Sequence, residues 1–290
     1  MPAAFAVDLC GFRDGGTGAP NTSDVSEKLL VELGRALFAA MGVPPGQPAP
    51  NGVDKQMSRR LADDLGRQIG ATDLEVQAEQ ALDAFTQYRH VSAIKGFRAE
   101  PTREVTTALT KLRTFVTRRI TTPPRDVTRR DELLEALDTA MTAETVLRRQ
   151  VIDDLGEESL LNLDVTASRA HPGGKRHLEA GLSLKWSLRT DRARDCRSQG
   201  GKMASLRRGM TPHFAAVTME PRPYMLRLLG GGSGEVDCVY HLDLPSLTTA
   251  IETVTAGNPR RKKTPEQLRR LVDQRRLRYY DELVTYIGTP

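Results

Sequence analysis

In the first half of the chain, apolar residues recur mostly at helical spacing. One run follows Thr22 or Ser23, either of which can cap a helix, and its apolar side carries Leu29, Leu30, Leu33, Leu37 and Met41. The same spacing predicts further helices over residues 54–97, 102–120 and 131–155. Within 54–97, the second helix is expected to carry Leu74, Ala78, Leu82, Phe85 and Val91.

Two segments of this half show neither a helical nor a strand period. The first 21 residues are rich in Gly, Ala and Pro, and we expect them to form a loose N-terminal arm. The stretch GVPPGQPAPNG, over residues 42–52, contains prolines and glycines that interrupt helices and central strands. It is therefore expected to be an irregular loop.

Beyond Asn162 the pattern changes to short runs typical of β-strands. The runs are LNLDVTAS, AGLSLKWSL, HFAAVTM and EVDCVYHL, separated by glycine-rich or polar stretches. We expect them to form one mixed sheet, with GGGSG as a hairpin turn before the last run. The tail returns to helical spacing, and Thr264-Pro265-Glu266-Gln267 has the form of a capping box.

The run AGLSLKWSL places a lysine and a serine on one face of its strand. Alternation turns Leu182, Leu184 and Trp186 to one side and Ser183 and Lys185 to the other. A metal-dependent phosphodiesterase needs a lysine of this kind beside carboxylates, because the carboxylates bind Mg²⁺ and the lysine stabilises the transition state. A lysine on the solvent face of an edge strand is the alternative interpretation.

A charged cluster, Arg189-Thr190-Asp191-Arg192, follows this strand directly. Arginine donates two hydrogen bonds to guanine O6 and N7, and aspartate accepts one from cytosine N4. The cluster is therefore suited to reading adjacent G·C pairs. A solvated ion-pair cluster at a helix start, capped by Thr190 or Asp191, is the alternative.

Composition narrows the function classes. The 290 residues carry a formal net charge of +5, which suits a polyanionic partner without proving one. Three cysteines stand far apart in the sequence, which argues against a structural zinc site and a disulfide framework and favours a reducing cytoplasm. No apolar run reaches transmembrane length and the N-terminus lacks a basic leader region, so neither secretion nor a membrane span is expected.

Three stretches together carry a resemblance to a known family. LSLKWSLRTDRARDCRSQG, TPHFAAVTMEPRP and GSGEVDCVYHLDL resemble the core of the NgoMIV-type type II restriction endonucleases, PD-(D/E)xK nucleases that cut DNA containing CCGG. PPGQPAPNGVD and QYRHVSAI give weaker matches upstream. The resemblance implies an α/β restriction-endonuclease-like fold, in which helices flank a central mixed sheet and the N-terminal half is mostly helical.

The implied organisation is a single restriction-endonuclease domain over residues 1–290. Its expected parts are an N-terminal arm (1–21), a mainly helical part (22–160), a catalytic and DNA-reading sheet core (161–245) and C-terminal helices (246–290).

The resemblance also implies a catalytic set, which consists of Lys185, Asp126, Ser183 and Asp54. Asp126, in PPRDVTR, is chosen for the family's metal-binding Pro-Asp aspartate, and the backbone carbonyl of Leu184 falls on a second metal-ligand position. Asp164, in LNLDVTA, lies in a better strand pattern and is the alternative to Asp126. Gln199 stands where the family has an acid, and an amide does not replace the charge of a carboxylate.

The implied DNA contacts fall into two groups. Arg189, Asp191, Arg192 and Gln47 match positions that read the CCGG core. Met225 stands where the family has an arginine for the outer base pair, and Arg222 and Arg227 are close enough in sequence to replace that arginine.

The function implied by the resemblance is Mg²⁺-dependent cleavage of double-stranded DNA at a palindromic CCGG-containing site, leaving 5′-phosphate ends. The expected assembly is a homodimer or a tetramer of two dimers in the cytoplasm, without membrane contact and paired with a cognate DNA methyltransferase. Two alternatives stay open: a sequence-specific DNA-binding protein with weak or lost cleavage, and an enzyme that acts on a modified or degenerate site.

Overall fold

The computed structural model describes residues 1–23, 28–70, 73–91, 99–155, 161–232 and 234–289. The chain divides into two compact units. Unit 1 comprises Met1–Tyr88 and Leu161–Pro290, and unit 2 comprises Arg89–Leu160. Within the described ranges, no helix combines the length and the apolar character needed to cross a membrane.

In chain order, the described helices are α1 (Ala6–Leu9), α2 (Lys28–Ala40), α3 (Val53–Ile69), α4 (Arg103–Arg119), α5 (Pro124–Leu155), α6 (Thr190–Leu206), α7 (Pro223–Gly230), α8 (Leu244–Thr255), α9 (Lys263–Asp273) and α10 (Tyr280–Gly288). The strands are β1 (Leu74–Ala81), β2 (Asn162–Arg169), β3 (His177–Lys185), β4 (His213–Thr218), β5 (Cys238–His241) and β6 (Leu277–Tyr279). Helices α4 and α5 belong to unit 2, and the other elements belong to unit 1.

The six strands form one sheet in the order β1-β2-β3-β4-β5-β6. Strand β2 is antiparallel to both of its neighbours, β1 and β3, whereas β3, β4, β5 and β6 run parallel. The predicted mixed α/β sheet is therefore confirmed. It extends beyond the predicted core of residues 161–245, because β1 comes from the part expected to be helical and β6 from the tail.

Strand β1 corrects the helix predicted from Leu74 onward. Its sequence, LEVQAEQA, places apolar residues at Leu74, Val76 and Ala78. Residues four apart are on one side of both a strand and a helix, so Leu74 and Ala78 fit either period. Pairing with β2 fixes the segment as a strand. The end of that predicted helix, residues 92–98, lies outside the described residues.

The glycines of GGGSG do not form the predicted hairpin. Strands β4 and β5 are parallel, and parallel strands need a crossover connection, here provided by α7. Every residue of β4 is buried, as is typical of a strand inside a parallel sheet. The predicted capping box at Thr264 is also wrong, because α9 begins at Lys263 and has no side-chain cap.

The N-terminal segment is packed into unit 1 and is not the loose arm predicted from composition. Phe5, Leu9 and Cys10 are buried. The backbone N–H of Ala3 donates to the carbonyl of Leu242 at 2.8 Å. These contacts follow from apolar residues that recur within a Gly- and Ala-rich background, a signal that average composition conceals.

Helix α6 lies against the sheet through a face of small or flexible residues. Its buried residues are Ala193, Cys196, Gly200 and Met203, which recur at helical spacing. Gly200 is the closest point, because a Cβ atom there would stand 1.6 Å from the carbonyl oxygen of Glu235. The position of α6 therefore depends on the absence of a side chain at residue 200.

We expect Gly200→Ala to destabilise unit 1 by roughly 1–3 kcal/mol, because the new Cβ overlaps backbone atoms. Gly201→Ala is the matched control: a Cβ there meets nothing within 4 Å, and losing a helical glycine should stabilise the protein by up to about 1 kcal/mol. Urea unfolding curves measure both effects. Equal free energies of unfolding would show that the Glu235 backbone yields to the helix.

Candidate active site

Asp164 and Lys185 approach each other at the end of strand β3. Val165 of β2 pairs with Leu182 of β3, so Asp164, Ser183 and Lys185 share one face of the sheet. The Nζ of Lys185 is 3.7 Å from Oδ2 of Asp164. The same oxygen accepts a hydrogen bond of 2.6 Å from the backbone N–H of Leu184. The Asp164 carboxylate therefore binds the backbone at the end of β3 and also forms an ion pair with Lys185.

The two side chains differ in their access to solvent. Lys185 is 17% exposed and Asp164 is 37% exposed. The ammonium is thus largely shielded from water, which strengthens its electrostatic influence on a group placed beside it. The carboxylate keeps free surface for a further ligand, such as a hydrated cation.

Helix α6 supplies the polar groups that face Ser183. The hydroxyl of Ser183 donates to Oε1 of Gln199 at 2.9 Å. The thiol of Cys196 lies in the same group: burial raises its pKa, while a hydrogen bond with Ser183 and the nearby charge of Lys185 act in the opposite direction. Because the Cys196 thiol stays neutral, it contributes packing. The polar interaction at this place is the hydrogen bond between Ser183 and Gln199.

Thr218 of strand β4 fixes the last residue of β3 from the other side. Its Oγ1 donates to the backbone carbonyl of Lys185 at 2.5 Å, and the two residues are paired in the parallel ladder. Sequence reasoning missed this contact. The signal that could have found it is a threonine at the carboxyl end of an otherwise apolar run.

Glu79 is a second residue that the sequence analysis missed. Ala78 pairs with Val165 and Gln80 with Leu163, so Glu79 lies opposite Asp164. Its φ of 54° is in the left-handed region, which costs a non-glycine residue roughly 1–3 kcal/mol. Backbone strain of this kind concentrates at functional sites, and no sequence pattern announces it.

The two aspartates between which the sequence left a choice belong to different units and to different kinds of element. Asp164 lies on β2 beside Lys185. Asp126 belongs to unit 2 and lies in the first turn of helix α5, where its Oδ1 is 3.6 Å from Nε of Arg125. Asp126 is therefore a helical residue, since proline at the start of PRDVTRR begins a helix. Asp164 and Lys185 lie together in unit 1.

Asp54, the other predicted acid, is an exposed residue in the first turn of helix α3. Among the described residues, its carboxylate makes no hydrogen bond or ion pair. The first turn of a helix favours an acid by itself, because backbone N–H groups there have no partners. The position of Asp54 is thus explained by the start of its helix, and no hydrogen bond or ion pair in the described part of the chain joins its side chain to Asp164 or Lys185.

The predicted base-reading residues come together at the start of helix α6. Arg189 precedes the helix, and Asp191 and Arg192 lie in its first turn. Within the described part of the chain, neither Asp191 nor Arg192 forms an ion pair. The first turn of α6 therefore presents both donor and acceptor groups, as base reading requires.

Arg222 has a different place from the base contact predicted for it. Its guanidinium is bound to the fully buried carboxylate of Glu220, with Nε 2.6 Å from Oε1. Burial raises the pKa of Glu220, and the bonds to Arg222 oppose that rise. An arginine whose side chain is 9% exposed and paired in this way does not extend to a base, so this prediction is corrected.

The Glu220–Arg222 pair holds the segment between the lysine and the base-reading turn. Leu188 donates its backbone N–H to Oε2 of Glu220 at 2.7 Å. Its carbonyl accepts from Nη2 of Arg222 at 2.6 Å. Both backbone groups of Leu188 are thus fixed by one buried ion pair, three residues after Lys185.

Gln47 and Arg227 also make contacts that the sequence did not predict. The Nε2 of Gln47 donates to the carbonyl of Cys10 at 2.7 Å, so this amide ties the proline-rich loop to the N-terminal segment. Arg227 lies in the last turn of α7 and lines a cavity with Arg270 and Arg276. Neither residue belongs to the group around Asp164 and Lys185.

Comparison with known proteins agrees with this geometry. The chain is 36% identical over 131 residues to the type II restriction enzyme NgoMIV of Neisseria gonorrhoeae, an alignment that covers 42% of this chain and 46% of that protein. The chain therefore matches about half the length of this curated relative. The model of the family described as NgoMIV restriction enzyme matches residues 66–286. Because that match covers well over half of the sequence, the chain belongs to the NgoMIV restriction enzyme family.

Proposed function

We propose that this protein is a type II restriction endonuclease of the PD-(D/E)xK fold that cleaves duplex DNA at a palindromic CCGG-containing site. The observation that carries the proposal is the continuity of the site: a lysine paired with an aspartate at a strand end is followed along the chain by Arg189, Asp191 and Arg192 at the start of the next helix. The lysine proposed for hydrolysis and the residues proposed to read bases therefore lie on one short segment of the chain. Family membership supports the same activity.

Mg²⁺ is the proposed cofactor, with Asp164 in place of Asp126 as its carboxylate ligand and the Leu184 carbonyl as a second ligand. The part of the chain that the structure describes contains no cluster of three His, Cys, Asp or Glu side chains suited to a metal. One carboxylate and one carbonyl fit an ion that keeps several waters and also binds substrate phosphate. When bound, Mg²⁺ would lower the pKa of water and offset charge on the phosphate.

The chain's own residues have distinct parts in the proposed hydrolysis. Asp164 orients Lys185, whose ammonium donates hydrogen bonds to the attacking water or to the phosphate oxygens as negative charge develops there. The hydrogen bond between Ser183 and Gln199 fixes helix α6 against strand β3 beside Lys185. Oxygen of the attacking water bonds to phosphorus, the bond between phosphorus and O3′ breaks, and O3′ takes up a proton, which leaves a 5′-phosphate and a 3′-hydroxyl.

The symmetry of the site sets the proposed assembly. A palindrome is read by two copies related by a two-fold axis, each contacting one half-site. We therefore propose a homodimer or a tetramer of two dimers, located in the cytoplasm with the DNA. A methyltransferase that modifies the same site would protect host DNA from this activity.

Gln199 supports a second candidate, a DNA-binding protein that has lost cleavage. Its amide accepts the Ser183 hydrogen bond but adds no negative charge beside Asp164. If cleavage requires a second anionic group here, sequence-specific binding would persist without turnover.

Digestion of a sequenced plasmid distinguishes these two functions. With Mg²⁺ or Mn²⁺, we expect discrete fragments whose mapped 5′-phosphate ends share a CCGG core, because Arg189, Asp191 and Arg192 select the site. An intact plasmid in both metals, combined with specific binding in a gel-shift assay, would support the second candidate. Fragments with random ends would contradict the proposed specificity.

The choice of aspartate is tested by Asp164→Asn and Asp126→Asn. We expect Asp164→Asn to lower the cleavage rate by about 100-fold or more, the loss typical of removing one electrostatic group from an active site. Asp126→Asn should cleave at the wild-type rate. Single-turnover rates over a Mg²⁺ series provide the measurement, and the opposite ranking would return the ligand assignment to Asp126.

The base-reading role is tested with Arg192→Ala in a Lys185→Ala background, which should bind without cutting. We expect a loss of about 1–3 kcal/mol on the CCGG duplex and a smaller loss on unrelated DNA, because a base contact is sequence-specific. Arg194→Ala, an exposed arginine on the same helix, is the control. Equal losses on both duplexes would reassign Arg192 to phosphate contact.

A further inference from the structure

Three arginines converge on one cavity of unit 1 that the proposed cleavage does not use. The cavity has a volume of about 250 Å³ and is lined by Arg227, Arg270 and Arg276 with Gln267, Gln274, Gly231 and Leu271. Its polar side chains are guanidinium and amide groups, and its described lining includes no carboxylate.

The cavity lies at the opposite edge of the sheet from the candidate active site. Lys185 ends β3, and strands β3 to β6 are parallel, so the active site is at their carboxyl ends. Arg276 immediately precedes β6 and therefore lies at the amino ends of the same strands. A ligand bound here would not compete with DNA strands at Lys185.

The backbone around the cavity is held in place by several contacts. Nη1 of Arg276 donates to the carbonyl of Gly230 at 3.0 Å, which fixes one guanidinium against the end of α7. The N–H of Val239 donates to the carbonyl of Arg276 at 2.9 Å. Gly231 has no room for a side chain, since a Cβ would lie 2.4 Å from the carbonyl of Arg227.

The positive charge of the three arginines favours an anionic ligand. Among the described residues, no ion pair joins Arg227, Arg270 or Arg276 to an acid, so three positive charges share one cavity. A bound anion offsets their mutual repulsion, which a neutral group does not. Guanidinium groups form paired hydrogen bonds with phosphate oxygens, and the amides of Gln267 and Gln274 provide further donors.

We propose that this cavity binds a phosphate group. The bound phosphate is either a backbone phosphate of DNA outside the recognised sequence or the phosphate of a free small molecule, and the cavity's chemistry is the same for both. Arg227 and Arg270 each lie in the last turn of a helix, where a cation is favourable alone. This helix-end effect does not explain why both arginines line the same cavity as Arg276.

The first measurement uses inorganic pyrophosphate and needs no DNA. We compare the melting temperature of wild type, the double variant Arg227→Gln/Arg270→Gln, and Arg269→Gln, with NaCl at equal ionic strength as the reference. Arg269 is the exposed neighbour of Arg270 on α9, and it does not line the cavity. Pyrophosphate should raise the melting temperature of wild type and Arg269→Gln by roughly 3 °C and leave the double variant unchanged.

Equal responses from the three proteins, or no response from any, would overturn the proposal and leave Arg227 and Arg270 as helix-end cations. This outcome is independent of nuclease activity, so it does not depend on whether the proposed cleavage is correct.

A second measurement identifies the source of the phosphate. In a Lys185→Ala background, binding is compared for a short duplex and for one extended by about ten base pairs on each side. If the phosphate belongs to DNA, the double variant lowers the salt slope by about 2 on the long duplex only. If the slope is unchanged while the pyrophosphate response is lost, the site binds a free phosphate compound.

Discussion

The buried ion pair of Glu220 and Arg222 determines how the two parts of the candidate site are placed. It binds both backbone groups of Leu188, which lies in the short segment between the end of β3 and the start of α6. Taking two charges out of water is costly, and the attraction within such a pair compensates only when its remaining hydrogen bonds are satisfied. Here the backbone of Leu188 satisfies them, so the stability of the pair and the geometry of the segment depend on each other.

The change of strand direction at β3 gives this segment its position. Strand β3 pairs antiparallel with β2 and parallel with β4, so Lys185 receives a carboxylate from one neighbour and a hydroxyl from the other. The Asp164 carboxylate accepts a hydrogen bond from the N–H of Leu184 at the end of the ladder, and the Thr218 hydroxyl donates one to the carbonyl of Lys185. Backbone groups left over where pairing ends are thus satisfied by the side chains that form the site.

Close packing of α6 completes the arrangement. The helix brings Gln199 to Ser183 on one side of Gly200 while Gly200 itself touches the Glu235 backbone. The same helix begins with the residues proposed to read bases. A shift of α6 would therefore alter both the Ser183–Gln199 contact at the candidate site and the direction of Asp191 and Arg192. Packing in the core is in this way linked to the proposed specificity.

The sequence by itself determined the local features. The alternation of AGLSLKWSL placed Ser183 and Lys185 on one face, and the four residues after the strand identified the charged turn, because both patterns depend only on neighbours in the chain. Tertiary structure decided which distant groups join them. Leu74 and Ala78 fit a helix and a strand equally well, and only pairing with β2 made β1 a strand. Asp126 was a candidate through the family resemblance and Asp164 through its strand pattern, and only the β2–β3 register put Asp164 beside Lys185. Arg222 looked like a free cation although Glu220 is its near neighbour in sequence, because only the tertiary structure buries both side chains and so makes their pairing necessary.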